Sequence, residues 1–190
     1  MNTKFLILIV LTLHLTSTIA AGGCPGVRSM TTDAACREAS GTQLMYELCS
    51  STLRAEFRDP RSFTEVTEYA RVAARRAFLM YQPTIDVADV QCQNHTHPDE
   101  DRAAFCYCHD AAIPTYYGAK VAMSKVKSWL ADGCWFDGLH DQYMTALLDL
   151  ERCRDRVIKI QPEPEMYSMI LDDRNRTFLA YILGKLLGVE

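Results

Sequence analysis

The chain has 190 residues, with 20 Lys and Arg against 24 Asp and Glu, a net charge of −4 and 48% hydrophobic residues. A mildly acidic chain without a basic run is poorly suited to nucleic acid. Its length suits one domain with a sizeable core.

Lys4 precedes an apolar run from Phe5 to Leu15, broken only by Thr12 and His14, and small residues follow at Ser17, Thr18, Ala20 and Ala21. A charged start, a short apolar stretch and a small-residue cleavage site make a secretory leader over residues 1–21. The run is well short of the ~20 apolar residues that cross a bilayer, and no later segment is apolar enough to span. The expected product, residues 22–190, is one secreted, extracellular domain that has lost Lys4 and carries −5.

Gly22 to Ser40 reads as small and irregular, and Thr42 to Phe57 as a short helix stopped by Asp59-Pro60. A firmer helix is expected from Ser62, where Ser62-x-x-Glu65 has the form of a capping box. Its apolar positions Phe63, Val66, Ala70, Ala73, Ala77 and Met80 step by three and four. A polar interruption, Gln91 to Asp101, comes next. The second stripe is Tyr116, Ala119, Met123, Val126 and Leu130, with Pro114 kinking or starting the helix and Gly133 as its C-cap. The third is Phe136, Leu139, Tyr143, Ala146, Leu150, Cys153 and Val157, broken by Pro162 and Pro164. The fourth covers Met166 to Leu187 and closes at Gly188. Alternating Val/Ile/Thr runs between turn signals are scarce. The pattern predicts an all-α, antiparallel four-helix bundle preceded by a smaller helical hairpin.

All eight cysteines, Cys24, Cys36, Cys49, Cys92, Cys106, Cys108, Cys134 and Cys153, follow the leader. In an oxidising compartment they imply up to four disulfides, which could connect in about 105 ways. Asn94-His95-Thr96 and Asn175-Arg176-Thr177 are glycosylation sequons that suit passage through the same route. Cys92, His95, His97, Cys106, Cys108 and His109 would suggest zinc in a cytosolic protein. Secretion favours disulfides instead, so no metal is expected.

Catalytic signatures are missing. There is no Gly-x-Ser-x-Gly elbow, no Gly-rich phosphate loop and no His-Glu-x-x-His pair, and no cofactor is implied. Asp172 and Asp173 are adjacent, so on a helix they point about 100° apart and do not face one target. A solvated helix face is the expectation for both. The chain reads as a binding protein rather than an enzyme. A lipid-carrying helical module is the alternative of a different class, although plant lipid-transfer proteins contain a Cys-Cys pair that this chain lacks.

The order of leader, Cys36-x12-Cys49, capped helix, Cys108, Tyr116-x-x-Ala119, Cys153 and a terminal Ile182-Leu-x-Lys-Leu-Leu-Gly188 resembles the plant invertase/pectin methylesterase inhibitor family. The terminal stretch is most similar to its pollen-allergen branch of plane-tree invertase-inhibitor-like proteins. The resemblance implies a four-helix bundle with an N-terminal hairpin. It also implies a disulfide closing the hairpin, Cys36 to Cys49, and another joining the second and third bundle helices, Cys108 or Cys106 to Cys153. Such loops stabilise by about 3 and about 4 kcal/mol. Cys92 with Cys106 is then the more local of the remaining pairings and leaves Cys24 for Cys134.

Tyr116 lies eight residues after Cys108, further than in the family, as an inserted helical turn would place it. Thr145 to Asp149 corresponds to the family's Ser-Ala-Ala-Leu-Thr, with Asp149 where pectin methylesterase inhibitors present Thr. The Pro-Lys-Phe of invertase inhibitors is replaced by Ile160-Gln-Pro-Glu-Pro164. The implied activity is inhibition by obstruction of a plant cell-wall enzyme's carbohydrate cleft, with pectin methylesterase preferred, acid invertase second and a non-inhibitory pollen or storage protein as a further possibility. Lys120, Ser124, Lys127, Gln142, Thr145, Asp149 and Arg152, all off the apolar stripes, are the candidate contacts.

Overall fold

The computed structural model describes residues 24–110, 112–113, 115–160 and 164–189. The expected leader, Pro114 and Pro162 lie outside the described residues. Among the described residues the order is β1 (Ser29–Met30), α1 (Thr32–Ala39), α2 (Gln43–Arg54), β2 (Thr64–Glu65), α3 (Val66–Gln93), α4 (Asp99–His109), α5 (Tyr116–Asp132), α6 (Leu139–Val157) and α7 (Pro164–Lys185). The fold is all-α with a disulfide-linked helical core, apart from one short antiparallel ladder pairing Ser29 with Glu65 and Met30 with Thr64.

The N-terminal segment is more ordered than its composition suggests. Thr31 caps α1 by accepting from the Ala34 amide at 3.2 Å, and Thr42 caps α2 by accepting from Met45 at 3.3 Å. Cys36 and Cys49 link the two helices and are fully buried. α1 was not visible as a hydrophobic stripe because it is short and buries only Thr32, Ala35 and Cys36.

α3 starts at Val66, not Ser62, and the expected capping box does not form. The ladder holds Thr64 and Glu65 in extended backbone, so Glu65 cannot return to Ser62. Its carboxylate accepts instead from the Cys24 amide at 3.0 Å and from the Thr67 hydroxyl at 2.7 Å. The Ser62 hydroxyl donates to the Asp59 carbonyl at 2.8 Å. Phe63 consequently precedes the helix and is 75% exposed rather than part of its apolar stripe. Pro83 lies inside α3 on its exposed face, so the hydrogen bond it deletes is to the carbonyl of exposed Leu79.

Side-chain neighbours fix how the long helices run. Tyr81 meets Thr177 and Thr84 meets Asp173, so α3 and α7 are antiparallel. Tyr81 packs edge-on to Tyr116, and Phe78 lies under Lys127, so α5 is also antiparallel to α3. The Cys92–Cys106 disulfide and the approach of His109 to Asp89 place α4 in the same sense. α4 and α5 therefore follow one another along α3 with a break at 110–115. That break, rather than an added helical turn, separates Tyr116 from Cys108. His140 meets Tyr181 and Arg174 meets Glu151, which sets α6 antiparallel to α7. α6 also packs along α5, and α1 and α2 both touch α7.

The polar interruption expected over Gln91 to Asp101 is brief. α3 continues to Gln93, and Asp99, Glu100 and Asp101 form the first turn of α4. Carboxylates there complement the unpaired amides of a helix N-terminus. Gly133 ends α5 in extended backbone, φ 169°, not as a left-handed cap. The left-handed glycine of this connection is Gly138, φ +78°, at the N-cap of α6.

The centre is filled by large side chains. Tyr69, Tyr81, Tyr116, Tyr143, Leu53, Ile85, Met123, Leu139, Leu150, Met166, Ile170 and Leu179 are fully buried. The other two disulfides are Cys24–Cys134, tying the N-terminal segment to the α5–α6 connection, and Cys108–Cys153, joining the end of α4 to α6. No helix among the described residues is long and apolar enough to cross a membrane.

Candidate functional site

The seven candidate contacts lie on two helices, and the structure does not bring them to one face. Lys120, Ser124 and Lys127 are spaced four and three apart, which sets them on one side of α5. That side faces α3. The Lys127 ammonium sits 4.3 Å from the centre of the Phe78 ring, and Lys120 lies 5.9 Å from the same ring and donates to Gln82. Both lysines are thus engaged in joining α5 to α3, where cation–π contact strengthens the seam.

Gln142 and Thr145 face the other flank of α5. Together with Asp149 they line a groove of about 380 Å³ between α5 and α6. Its opposite wall is Tyr117, Val121 and Lys125, which the sequence reading did not single out. Ile113 and Ala112 close one end. Val121 is 57% exposed, and Leu148 is exposed on the turn of α6 between Thr145 and Asp149. This is an apolar floor rimmed by hydroxyl, amide and ammonium groups, the mixture found at protein-docking surfaces.

Asp149 is not an exposed contact residue. It is 2% exposed, and its Oδ1 accepts from the Arg152 guanidinium at 2.6 Å. Burial raises its pKa above the usual carboxylate range, and the Arg152 charge and hydrogen bond only partly oppose this. Arg152 is exposed one turn further along α6. Asp149 therefore positions Arg152 beside the groove rather than offering its own carboxylate freely. Beyond Arg152 the Arg156 guanidinium lies 4.8 Å over the Tyr107 ring of α4.

A larger groove of about 510 Å³ lies between α3 and α5, with Phe57 and Val72 in its floor. Its rim alternates in sign. Glu56 pairs with Arg75, Glu68 pairs with Arg71, and Lys127 and Asp132 of α5 add one charge of each sign. Charges already matched within the chain leave little net field for a charged ligand.

The cluster of Cys92, His95, His97, Cys106, Cys108 and His109 holds no thiolate, since all three cysteines are disulfide-bonded. His97 pairs with Gln91 at 2.7 Å, His95 with Arg102 at 3.1 Å and His109 with Asp89 at 3.4 Å. Among the described residues no group of His, Cys, Asp and Glu is arranged to hold a metal ion.

The solvated face expected for Asp172 and Asp173 exists only at Asp172, which pairs with Arg176 at 2.9 Å. Asp173 is 2% exposed and accepts from Thr84 at 2.6 Å and Tyr116 at 3.0 Å. Burial pushes its pKa up to about 7, against the lowering effect of those two hydrogen bonds. It adjoins none of the grooves and ties three helices together from within.

No family model and no curated protein sequence matches the chain. Two solved structures do match in fold. A mutant form of a pectin methylesterase inhibitor from Arabidopsis superposes with a TM-score of 0.64 at 14% identity, over 81% of this chain and 95% of that one. A pectin methylesterase inhibitor from Arabidopsis thaliana does so with a TM-score of 0.57 at 16% identity, over 83% and 98%. At that identity the likeness is one of fold, and it spans nearly the whole of each inhibitor.

Proposed function

We propose that this chain is a secreted, non-catalytic inhibitor of a plant cell-wall carbohydrate-active enzyme. Residues 1–21 are its leader, and residues 22–190 form a four-helix bundle with an N-terminal hairpin. In this reading α3, the broken pair α4 and α5, α6 and α7 are the four members of the bundle. The inhibitor lays the α5–α6 face across the enzyme's carbohydrate cleft, and no bond is made or broken. Pectin methylesterase is the first target and acid invertase the second.

The observation that carries the reading is the match to two pectin methylesterase inhibitors along almost their full length. The α5–α6 groove supports it, because it offers an open, mostly apolar surface with hydroxyl, amide and ammonium groups at its rim, the mixture that docking surfaces use. The carrier alternative fares worse, since a lipid tunnel has no room among Tyr69, Tyr81, Tyr116 and Tyr143. Titration of the mature chain against panels of pectin methylesterases and acid invertases at mildly acidic pH tests the proposal. A stoichiometric complex with a pectin methylesterase is expected. Inhibition of invertase alone would exchange the two targets, and binding to neither panel would refute the inhibitor reading.

A further inference from the structure

The two sequons are equal as sequence but stand in opposite geometries. Asn94 is the C-cap residue of α3, in the short connection to α4. Its Oδ1 accepts from both the amide and the hydroxyl of Thr96, at 3.1 and 2.8 Å. This is a local turn made by an asparagine side chain, and it brings the sequon's hydroxyl against the side-chain amide that would be modified. His95 and Thr96 are exposed, and Asn94 lines none of the grooves described above.

Asn175 lies in the middle of α7, where residues two apart project about 200° from each other around the axis. Its partner Thr177 points the other way and is fully buried. The Thr177 hydroxyl is 2.6 Å from the Tyr81 hydroxyl and donates to the Asp173 carbonyl at 2.7 Å. On either side, Arg174 is bound to Glu151 and Arg176 to Asp172. Thr177 thus belongs to the core, and its hydroxyl already has two partners there.

We propose that Asn94 is an N-glycosylation site of this protein and that Asn175 is not, because the 94–96 turn juxtaposes acceptor amide and hydroxyl whereas α7 separates them and buries the hydroxyl. The donor is an oligosaccharide linked through pyrophosphate to a polyisoprenoid lipid. The Asn94 Nδ2 forms a bond to the anomeric carbon and gives up one proton, which the departing lipid pyrophosphate takes up. The bond from that carbon to the pyrophosphate oxygen breaks, and the lipid pyrophosphate leaves with the electron pair. The inference rests on the secretory reading, because the transfer takes place only inside the secretory pathway.

The test is expression of the full chain in plant cells, followed by intact mass before and after enzymatic deglycosylation and by peptide mapping. One glycan is expected. It should disappear in Asn94→Gln and in Thr96→Ala, and persist unchanged in Asn175→Gln. A parallel chain, with its first 21 residues exchanged for a leader of established function, separates the two ideas. If only this second chain is exported and it carries the Asn94 glycan, the native leader has failed and the site stands. An exported chain bare at Asn94, or one modified at Asn175, overturns the proposal.

Discussion

The Tyr116 hydroxyl on α5 donates to Asp173 Oδ2 on α7 at 3.0 Å, and Thr84 on α3 donates to the same oxygen at 2.6 Å. One buried carboxylate thus fastens three helices. Its charged form is desolvated, so its pKa stands at about 7 in the fold against an ordinary 3.8. Between those values the folded protein holds a proton that the unfolded chain has lost. Asp173 therefore contributes stability that is fully present below pH 3.8 and is lost as pH rises to about 7. Other groups facing it are Asp172, which raises its pKa, and Arg176, which lowers it. Urea melts of the wild type and Asp173→Asn across this range should differ most in slope. The wild type should lose on the order of a few kcal/mol relative to the variant between acid and neutral pH. Parallel profiles would show that Asp173 does not titrate in this range.

A second relationship is steric. A methyl group built on Gly184 would lie 2.8 Å from Cε2 of the buried Tyr143 ring. Ordinarily Gly to Ala in a helix gains about 1 kcal/mol. Here overpacking should win, and Gly184→Ala should destabilise by about 1–3 kcal/mol. Tyr143 also buries a hydroxyl with no hydrogen-bond partner among the described residues. Tyr143→Phe should accordingly be neutral or slightly stabilising, since it removes a desolvated group rather than a bond. Equilibrium unfolding of both variants checks the pair, and a stabilised Gly184→Ala would contradict this packing.

The four disulfides differ in access. Cys36, Cys49, Cys108 and Cys153 are fully buried, whereas Cys134 is exposed and Cys24, Cys92 and Cys106 are half-buried. Thiol attack requires access to sulfur. Graded reduction under native conditions, followed by alkylation and peptide mapping, should label Cys24 and Cys134 first. Cys92 and Cys106 should follow, and the buried pairs should react only with unfolding. Early labelling of Cys36 or Cys153 would reverse the expected order.

These measurements probe features that the sequence shows unequally. The stripes through Ala70–Ala77, Tyr116–Leu130 and Leu139–Val157 were legible because each of those helices buries one continuous side. α4 was not, because its acidic start resembles a loop and only Ala104, Phe105 and Cys108 are buried. Asp173 was hidden for a different reason. Burial of a carboxylate depends on donors from Thr84 and Tyr116, which are far away in sequence. At the candidate site, positions off the apolar stripe were identifiable, but which neighbour flanks them was not. Lys120 and Lys127 therefore belong with α3, while Gln142 and Thr145 belong to the groove.

That division yields the sharpest test of the docking face. Thr145 is exposed at the groove's edge, so Thr145→Trp should fill the groove without disturbing the core. Val121→Arg should place an unmatched charge on the apolar floor from the opposite wall. If the α5–α6 face meets the enzyme, each should weaken inhibition by roughly 10- to 100-fold, about 1.4–2.8 kcal/mol, as for residues near the centre of an interface. Lys120→Ala lies on the far flank of α5 and should cost much less. Asp149 cannot be probed with Lys or Trp, because at 2% exposure either would disrupt the helix packing beneath it. Asp149→Asn keeps the shape and removes the charge that orients Arg152. Because burial raises the Asp149 pKa, acid should neutralise it sooner than an ordinary carboxylate and loosen its hold on Arg152. Wild-type affinity should then vary with pH across the acid range, and Asp149→Asn should flatten that dependence. Full inhibition by Thr145→Trp and Val121→Arg, with loss in Lys120→Ala, would move the docking face to the α3–α5 side.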